Sequence, residues 1–477
     1  MSQPFPKLAP VGSPVELELY EVRRTIHPRS VHGWFANWRI ALVVLTQLVF
    51  YGTAWLTWNG RQAVLFDLAQ RKFYIFGLVF WPQDFIFLTA LLIISALTLF
   101  LFTAVAGRLW CGYACPQTVY TEIFMWIERV IEGDRVQRMK LDRVQLGVDK
   151  FAKKFGKHFI WIVLALWTGF TFVGYFSPIR GLAAEVVQMQ LGPWETFWIL
   201  FYGFATYGNA GWMREQVCKH MCPYARFQSV MFDSDTLVIT YDAQRGEPRG
   251  SRSRSADYRK AGLGSCVDCG ICVQACPTGI DIRDGLQYEC IGCAACIDGC
   301  DQVMDKLGYP RGLIRYATEN AVHGKYQDRD ILRHVLRPRT LVYSATLLAA
   351  ITAFVALLYQ RVPLKVDVLR DRTTLVRELS DGRLENVYRL QIMNTTEAPR
   401  QFTVSAAGID GLELVAVLPV NIPAAGAVTL PVTLRADPAK TTAGSHPVQF
   451  HVEDRADARV HADEKSIFRI PARFPKR

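Results

Sequence analysis

No cysteine follows Cys300 in this chain of 477 residues, although it is the last of twelve. Charge is also scarce: Asp, Glu, Lys and Arg make up 20% of the residues against 51% hydrophobic ones, which is more apolar than a soluble protein of this length needs to be. A membrane protein is expected. The chain does not open on a charged segment followed by a short apolar one, so no cleaved secretory signal is expected and the first apolar span doubles as the anchor. Nucleotide-binding and flavin motifs are missing. No pair of histidines lies within the apolar spans to hold a haem, since His158 stands alone at a span edge.

What is present begins with uncharged runs long enough to cross a hydrocarbon core of roughly 30 Å. They are Ile40–Asn59, Phe85–Ala106, Phe159–Ser177, Thr196–Met213 and Thr340–Gln360, and five spans put the termini on opposite sides. Phe73–Gln83 is apolar but too short to span, and reads as an interfacial stretch or a buried hairpin arm. Segment 107–157 carries ten Lys and Arg, whereas 178–194 carries only Arg180. Positive loops stay on the cytoplasmic side, which places the N-terminus, 107–157 and 214–339 inside and everything after Gln360 outside. The net charge of +11 sits beside the spans, where retention and anionic lipid account for it, so membrane lipid and not nucleic acid is the expected partner. All twelve thiols then fall on the reducing side or next to it.

The expected organisation is a cytoplasmic arm (1–39), four spans forming two hairpins (40–241), a Gly/Arg/Ser-rich linker (242–262), an eight-cysteine module (263–305), a polar connector (306–339), a fifth span (340–360) and an exported domain (361–477). The two hairpins look like a duplication, because each ends in C-x3-C-P followed by a short amphipathic stretch, and the motifs lie 107 residues apart. After Gln117 the apolar residues Val119, Ile123, Trp126, Ile127 and Val130 recur at helical spacing, as in a helix lying on the inner surface. Beyond Gln360 the pattern turns to alternation, with strands expected around Val387–Ile392, Gln401–Val404, Leu412–Val417, Val428–Leu434, Val448–Val452 and Ile467–Ile470. That describes an all-β immunoglobulin-like sandwich without clustered ligands, a packing or docking domain. Asn394-Thr395-Thr396 fits a glycosylation sequon, and equally a turn Asn between strands.

Cys266, Cys269, Cys272 and Cys276 spell C-x2-C-x2-C-x3-C-P, and Cys290, Cys293, Cys296 and Cys300 repeat the spacing 24 positions later. In two-cluster ferredoxins the fourth cysteine of each run ligates the other cluster. One [4Fe–4S] cluster is therefore expected on Cys266, Cys269, Cys272 and Cys300, and a second on Cys290, Cys293, Cys296 and Cys276, within a ferredoxin-like α+β module. Structural zinc prefers two well-separated C-x-x-C knuckles. One departure is that Asp301, not proline, follows Cys300.

In Cys111/Cys115 and Cys218/Cys222 the cysteines are four apart, which on a helix puts both thiols on one face. Three chemistries fit: a copper site, an additional cluster, or a dithiol that cycles to a disulfide. Duplicated pairs favour a metal. His220 and Met221 lie between the second pair as further ligands or as packing residues.

These stretches, with Trp58–Asp67, Pro277–Arg283 and Glu289–Cys293, resemble the cytochrome oxidase accessory proteins of the CcoG/FixG/RdxA family, membrane polyferredoxins, over essentially the whole chain. The resemblance implies a bacterial inner-membrane cupric reductase that converts Cu(II) to Cu(I) for a cbb-type oxidase, with copper held near Cys111, Cys115, Cys218 and Cys222. It also implies a cytoplasmic electron donor (another protein or a small thiol), a copper P-type ATPase and oxidase assembly proteins as partners. A homo-oligomer stays open. A membrane electron conduit to quinol or a periplasmic enzyme, and a copper-binding assembly factor without redox activity, are the competing functions.

Overall fold

In the computed structural model of the chain, residues 26–253, 260, 262–327, 330–371 and 376–471 are described. Most of the expected N-terminal arm and part of the linker lie outside them.

Among the described residues, four helices are long and apolar enough to cross a membrane: Trp34–Thr53, Pro82–Ala106, Val148–Val173 and Pro338–Tyr359. The second has a mean hydropathy of 2.7 with none of its apolar window buried, as expected of a membrane span, and it packs beside Pro338–Tyr359, where Phe87 meets Phe354. The expected span Thr196–Met213 is built differently. Its α-helix, Pro193–Thr206, has 14 residues, about 21 Å, and continues as a π-helix over Tyr207–Met213. This composite helix packs along Val148–Val173 through glycine, since a Cβ on Gly169 would lie 2.3 Å from the Ile199 carbonyl oxygen. Small residues at such crossings let two backbones approach.

The cysteine-rich module and the β-sandwich lie at opposite ends of these helices. At one end Asp298 accepts hydrogen bonds from the Phe35 and Ala36 N–H groups, at 3.3 and 2.7 Å, capping the first helix. At the other, buried Asp84 pairs with Arg361 at 2.6 Å and with Lys365 at 3.3 Å, joining the ends of two apolar helices to the first strand of the sandwich.

Phe73–Gln83 is a hairpin arm and not an interfacial stretch. Val64–Asp67, Lys72–Ile75 and Leu78–Phe80 form an antiparallel sheet, and Val79 and Trp81 bury themselves against Met393 of the sandwich. Arg71 and Phe76, both at positive φ, make the turns that keep each strand short.

The C-terminal domain is an antiparallel sandwich. One sheet orders Glu413–Val415, Ala427–Ala436, Leu384–Asn394 and Leu364–Arg370, with Arg377–Glu378 beside the third; the other orders Val420–Ile422, Arg400–Ala407, Gly444–Asp454 and His461–Ile470. Tyr388, Leu390, Phe402, Phe450 and Phe468 close the core between them. Asn394 is fully buried, donates to the carbonyls of Ala398 and Pro423 and accepts from Thr396, so it is a turn residue.

Candidate metal centres

In the eight-cysteine module the backbone fixes the thiols. Asp268 and Gly270 take positive φ in the first run, and Gly292 and Ala294 take it at the equivalent places in the second. Alternation of right- and left-handed residues turns successive N–H groups into one concavity, the kind of nest that cradles an anionic cluster. Helices Ile271–Ala275 and Ala295–Leu307 start there.

Two small cavities open against these loops. One is lined by Cys266, Cys269, Cys272 and Cys300 together with Tyr241 and Met304. The other is lined by Cys276, Cys290, Cys293 and Cys296, with Cys272 at its edge and Ile239 and Ile282 as walls. The fourth cysteine of each run thus faces the opposite run's three. The nests and the four-thiol linings fit the two expected clusters. The fold that holds them reaches beyond 263–305, because Val238–Tyr241 pairs antiparallel with Ile314–Ala317 and supplies Ile239 and Tyr241.

The missing proline after Cys300 has a local cause. The helix there runs on to Leu307, which a proline at 301 would interrupt, and the Asp301 carboxylate accepts a 3.0 Å hydrogen bond from the Gly312 N–H. After Cys276 the helix has already ended, so Pro277 is free to turn the chain.

Burial pushes the Cys272 thiol up to about 11 and those of Cys290 and Cys300 up to about 12. Such thiols stay protonated at neutral pH until a positive metal centre replaces the proton.

The C-x3-C-P motifs are not single helices. Cys111 lies in the short helix Leu109–Tyr113, and Cys115 is the cap of the next, Pro116–Glu132. Cys218 lies in a π-helical turn, Val217–Met221, and Cys222 caps Pro223–Met231. Each proline occupies the first helical position, where its missing N–H costs nothing. The thiols still converge. Cys111 is within electrostatic reach of Cys115 and Cys218, Cys115 of Cys222, and Cys218 of Cys115 and Cys222. Burial, reinforced by these neighbours, lifts Cys111 to about 12 and Cys218 to about 11. At Cys115 burial is partly offset by the backbone N–H groups of Thr118 and Gln117, which favour the thiolate at a helix N-terminus. His220 and Met221, between the second pair, are exposed.

Among the described residues, no three His, Cys, Asp or Glu side chains stand close enough to share one metal ion. How copper would be held near Cys111, Cys115, Cys218 and Cys222 is therefore not given by a ready-made three-ligand site.

Gly112 and Arg108 join the two kinds of site, and Arg39 and Gln228 each support one of them. Gly112 packs on Gly292 and Cys293. Buried Arg108 donates to the carbonyls of Tyr288, Cys290 and Ala225 and lies within electrostatic reach of Cys111, Cys218 and Cys222. Arg39 donates to the Cys293 carbonyl at 2.8 Å. Gln228, fully buried, sits 3.4 Å from the Cys111 sulfur. Sequence counting had given Arg108 to the positive-inside excess, and its place three residues before Cys111 was the available signal. A cavity of about 80 Å³ with Glu122, Met125 and Glu215 in its wall touches both Cys218 and Cys293. Nothing in the local sequence marks those three.

Apolar helices carrying cysteine loops of this design define a membrane protein of the 4Fe–4S electron-transfer class. Family models agree: a 4Fe-4S dicluster domain matches residues 213–319, a 4Fe-4S binding domain 88–132, and the IG-like fold at the C-terminal of FixG 354–471. The chain is 40% identical to the nitrogen fixation protein FixG of Rhizobium meliloti over 428 residues, covering 83% of this chain and 80% of that one. It is 40% identical to protein RdxA of Cereibacter sphaeroides over 406 residues, covering 83% and 84%. A crystal structure of a FixG-related protein from Vibrio parahaemolyticus aligns with 23% of this chain and 96% of its own, at 24% identity and a TM-score of 0.21. The chain belongs to the FixG/CcoG/RdxA family.

Proposed function

We propose that the protein is a membrane-bound oxidoreductase that reduces Cu(II) to Cu(I) for copper insertion into a cbb-type cytochrome c oxidase. The observation that carries this is the convergence of Cys111, Cys115, Cys218 and Cys222 beside the inner cysteine quartet, with Gly112 in contact with Gly292. Bound by the two quartets, [4Fe–4S] clusters supply one-electron storage, which matches a substrate that takes one electron. The chain's own residues do the rest. The C-x3-C-P thiolates favour the soft Cu(I) product, the Gly112 contact fixes the separation of the two sites, and Arg108 places a cation between them.

A second reading gives the four C-x3-C-P thiols a further cluster. It is supported by the 4Fe-4S binding model over 88–132, which includes Cys111 and Cys115, and by thiol spacing too wide for one ion. Copper would then be reduced at the adjoining cavity that holds Glu122, Met125 and Glu215.

In the bacterial inner membrane we place five spans, counting Pro193–Met213, with the cysteine module cytoplasmic and the sandwich periplasmic. The arrangement of these domains at opposite ends of the helices supports it. A cytoplasmic donor, a copper P-type ATPase and oxidase assembly proteins are the partners this function needs.

The test is anaerobic. The purified protein is reduced, Cu(II) is added, and cluster absorbance is followed beside a Cu(I)-specific chelator. Reoxidation of the clusters in step with Cu(I) formation is expected; reduced clusters coexisting with Cu(II) would sink the reductase. Serine at all four C-x3-C-P positions separates the readings, because loss of iron favours the further cluster and loss of copper alone favours the copper site.

A further inference from the structure

A second, larger cavity of about 570 Å³ lies on the other side of Glu215 from Cys218, within the roughly 300–1,000 Å³ of ligand pockets. It stands where the helix Val148–Val173 passes from charged residues into its apolar stretch, beside the end of the π-helix Tyr207–Met213. Its walls include His158, Trp161, Trp212, Lys154, Arg214 and Glu215. Three rings make a slot: His158 lies parallel to Trp212, centroids 5.7 Å apart at 19°, and edge-on to buried Trp161 at 5.2 Å. The His158 Nδ1 is held by the Tyr207 hydroxyl at 3.0 Å, which leaves Nε2 for a ligand.

Two backbone irregularities mark the same place. π-Helical turns recur at functional sites, and Arg214, directly after this one, takes a φ of 37°, a strained conformation for a side chain that large.

The cations in the wall do not call for an anion. Lys154 pairs with Glu132 and Asp142, Lys157 with Glu128 and Glu132, and Arg214 with Glu128, at 2.8 to 3.3 Å. The wall also holds His27, Glu128 and Asp142, so that a set of paired charges faces the flat rings of His158, Trp161 and Trp212. That chemistry suits an uncharged, oxygen-bearing ring that arrives from the bilayer.

We infer that this cavity binds the head group of a lipid-soluble quinol, which donates electrons to the C-x3-C-P site as a second source beside the cytoplasmic donor that charges the clusters. The inference rests on the copper-reductase reading for its acceptor. The quinol loses two electrons and two protons to become quinone, and two Cu(II) take one electron each to give two Cu(I). The protons leave to the aqueous side by way of His158 and the Asp142 carboxylate. Glu215, which borders both cavities, separates the ring from Cys218.

The experiment uses the full-length protein in lipid nanodiscs and a short-tailed azidoquinone. Photolabelling is expected in peptides spanning 154–161 or 207–215, suppressed by excess unlabelled quinone, and reduced at least five-fold in Trp212→Leu and in His158→Ala at unchanged iron content. Tyr207→Phe, which removes one hydroxyl, serves if either of those fails to fold, and should weaken labelling several-fold. Labelling that excess quinone does not compete, that spreads over the apolar helices, or that these variants leave unchanged overturns the site. Cu(I) formation by the same samples, reduced with dithionite and freed of it before Cu(II) is added, depends only on the reductase reading: if it persists without quinone labelling, the quinol site alone fails.

Discussion

Gly112 lies so close to Gly292 that a Cβ added to Gly112 would sit 2.7 Å from the Gly292 carbonyl oxygen. The loop after Cys111 and the loop between Cys290 and Cys293 therefore meet backbone to backbone. Gly112→Ala is expected to push the cluster loop away, lowering iron content or shifting one of two cluster signals in electron paramagnetic resonance. Gly147→Ala, where the added methyl meets nothing within 4 Å, should leave both unchanged.

Exchange of the fourth cysteine makes a prediction that pairing within each run does not. Cys300→Ser should remove the same cluster as Cys266→Ser, and the double variant should lose no more iron than either alone, about half of the eight irons of two clusters. Iron analysis with resonance Raman spectroscopy distinguishes this from loss by run, in which Cys300→Ser would pair with Cys290→Ser.

Glu128, with a side chain 7% exposed, faces Arg138, Lys157 and Arg214 at 2.8, 3.3 and 3.0 Å. Burial alone raises its pKa, but Arg214, Lys157 and Arg138 together overcome that and hold it near 2, against 4.5 for a free carboxyl. A carboxyl depressed by folding contributes stability that is complete above pH 4.5 and lost as the pH falls toward 2. Glu128→Gln should abolish that part of the acid transition and, by leaving buried cations unpaired, cost roughly 3–5 kcal/mol at neutral pH. Thermal melts from pH 2 to 7 in detergent measure both.

The Asp84–Arg361 pair is buried at 1% and 8% side-chain exposure. Arg361→Met leaves the Asp84 carboxylate with only Lys365 and should destabilise by roughly 3–5 kcal/mol. Limited proteolysis should then release the sandwich from the helices earlier than in the parent protein.

Local rules made part of this visible in advance. Each run's cysteine spacing shows in the nests at Asp268/Gly270 and Gly292/Ala294, and strict alternation marked the sandwich. The span Thr196–Met213 was seen as an apolar run, yet nothing in that pattern separates α- from π-helical winding. In the helix after Cys115, the apolar positions divide: Trp126 and Val130 stay exposed, while Phe124 and Ile127 bury themselves near Trp161. Which face turns inward was decided by a helix elsewhere in the chain. Arg108 and Gln228 act on residues more than a hundred positions away, and the quinol cavity joins His158 to Trp212 across two helices, pairings that no local pattern records.

The cap on the first helix has a temporal consequence. The Ala36 N–H waits for a carboxylate 262 residues downstream, so the opening helix of the bundle gains its terminus only after three further apolar segments and the cysteine loops have left the ribosome. Asp298 lies between two presumptive iron ligands, Cys296 and Cys300, on the same helix. The seating of the first helix is thereby tied to a segment whose order depends on iron, and a cell short of iron would hold this protein with the start of its membrane bundle unfinished.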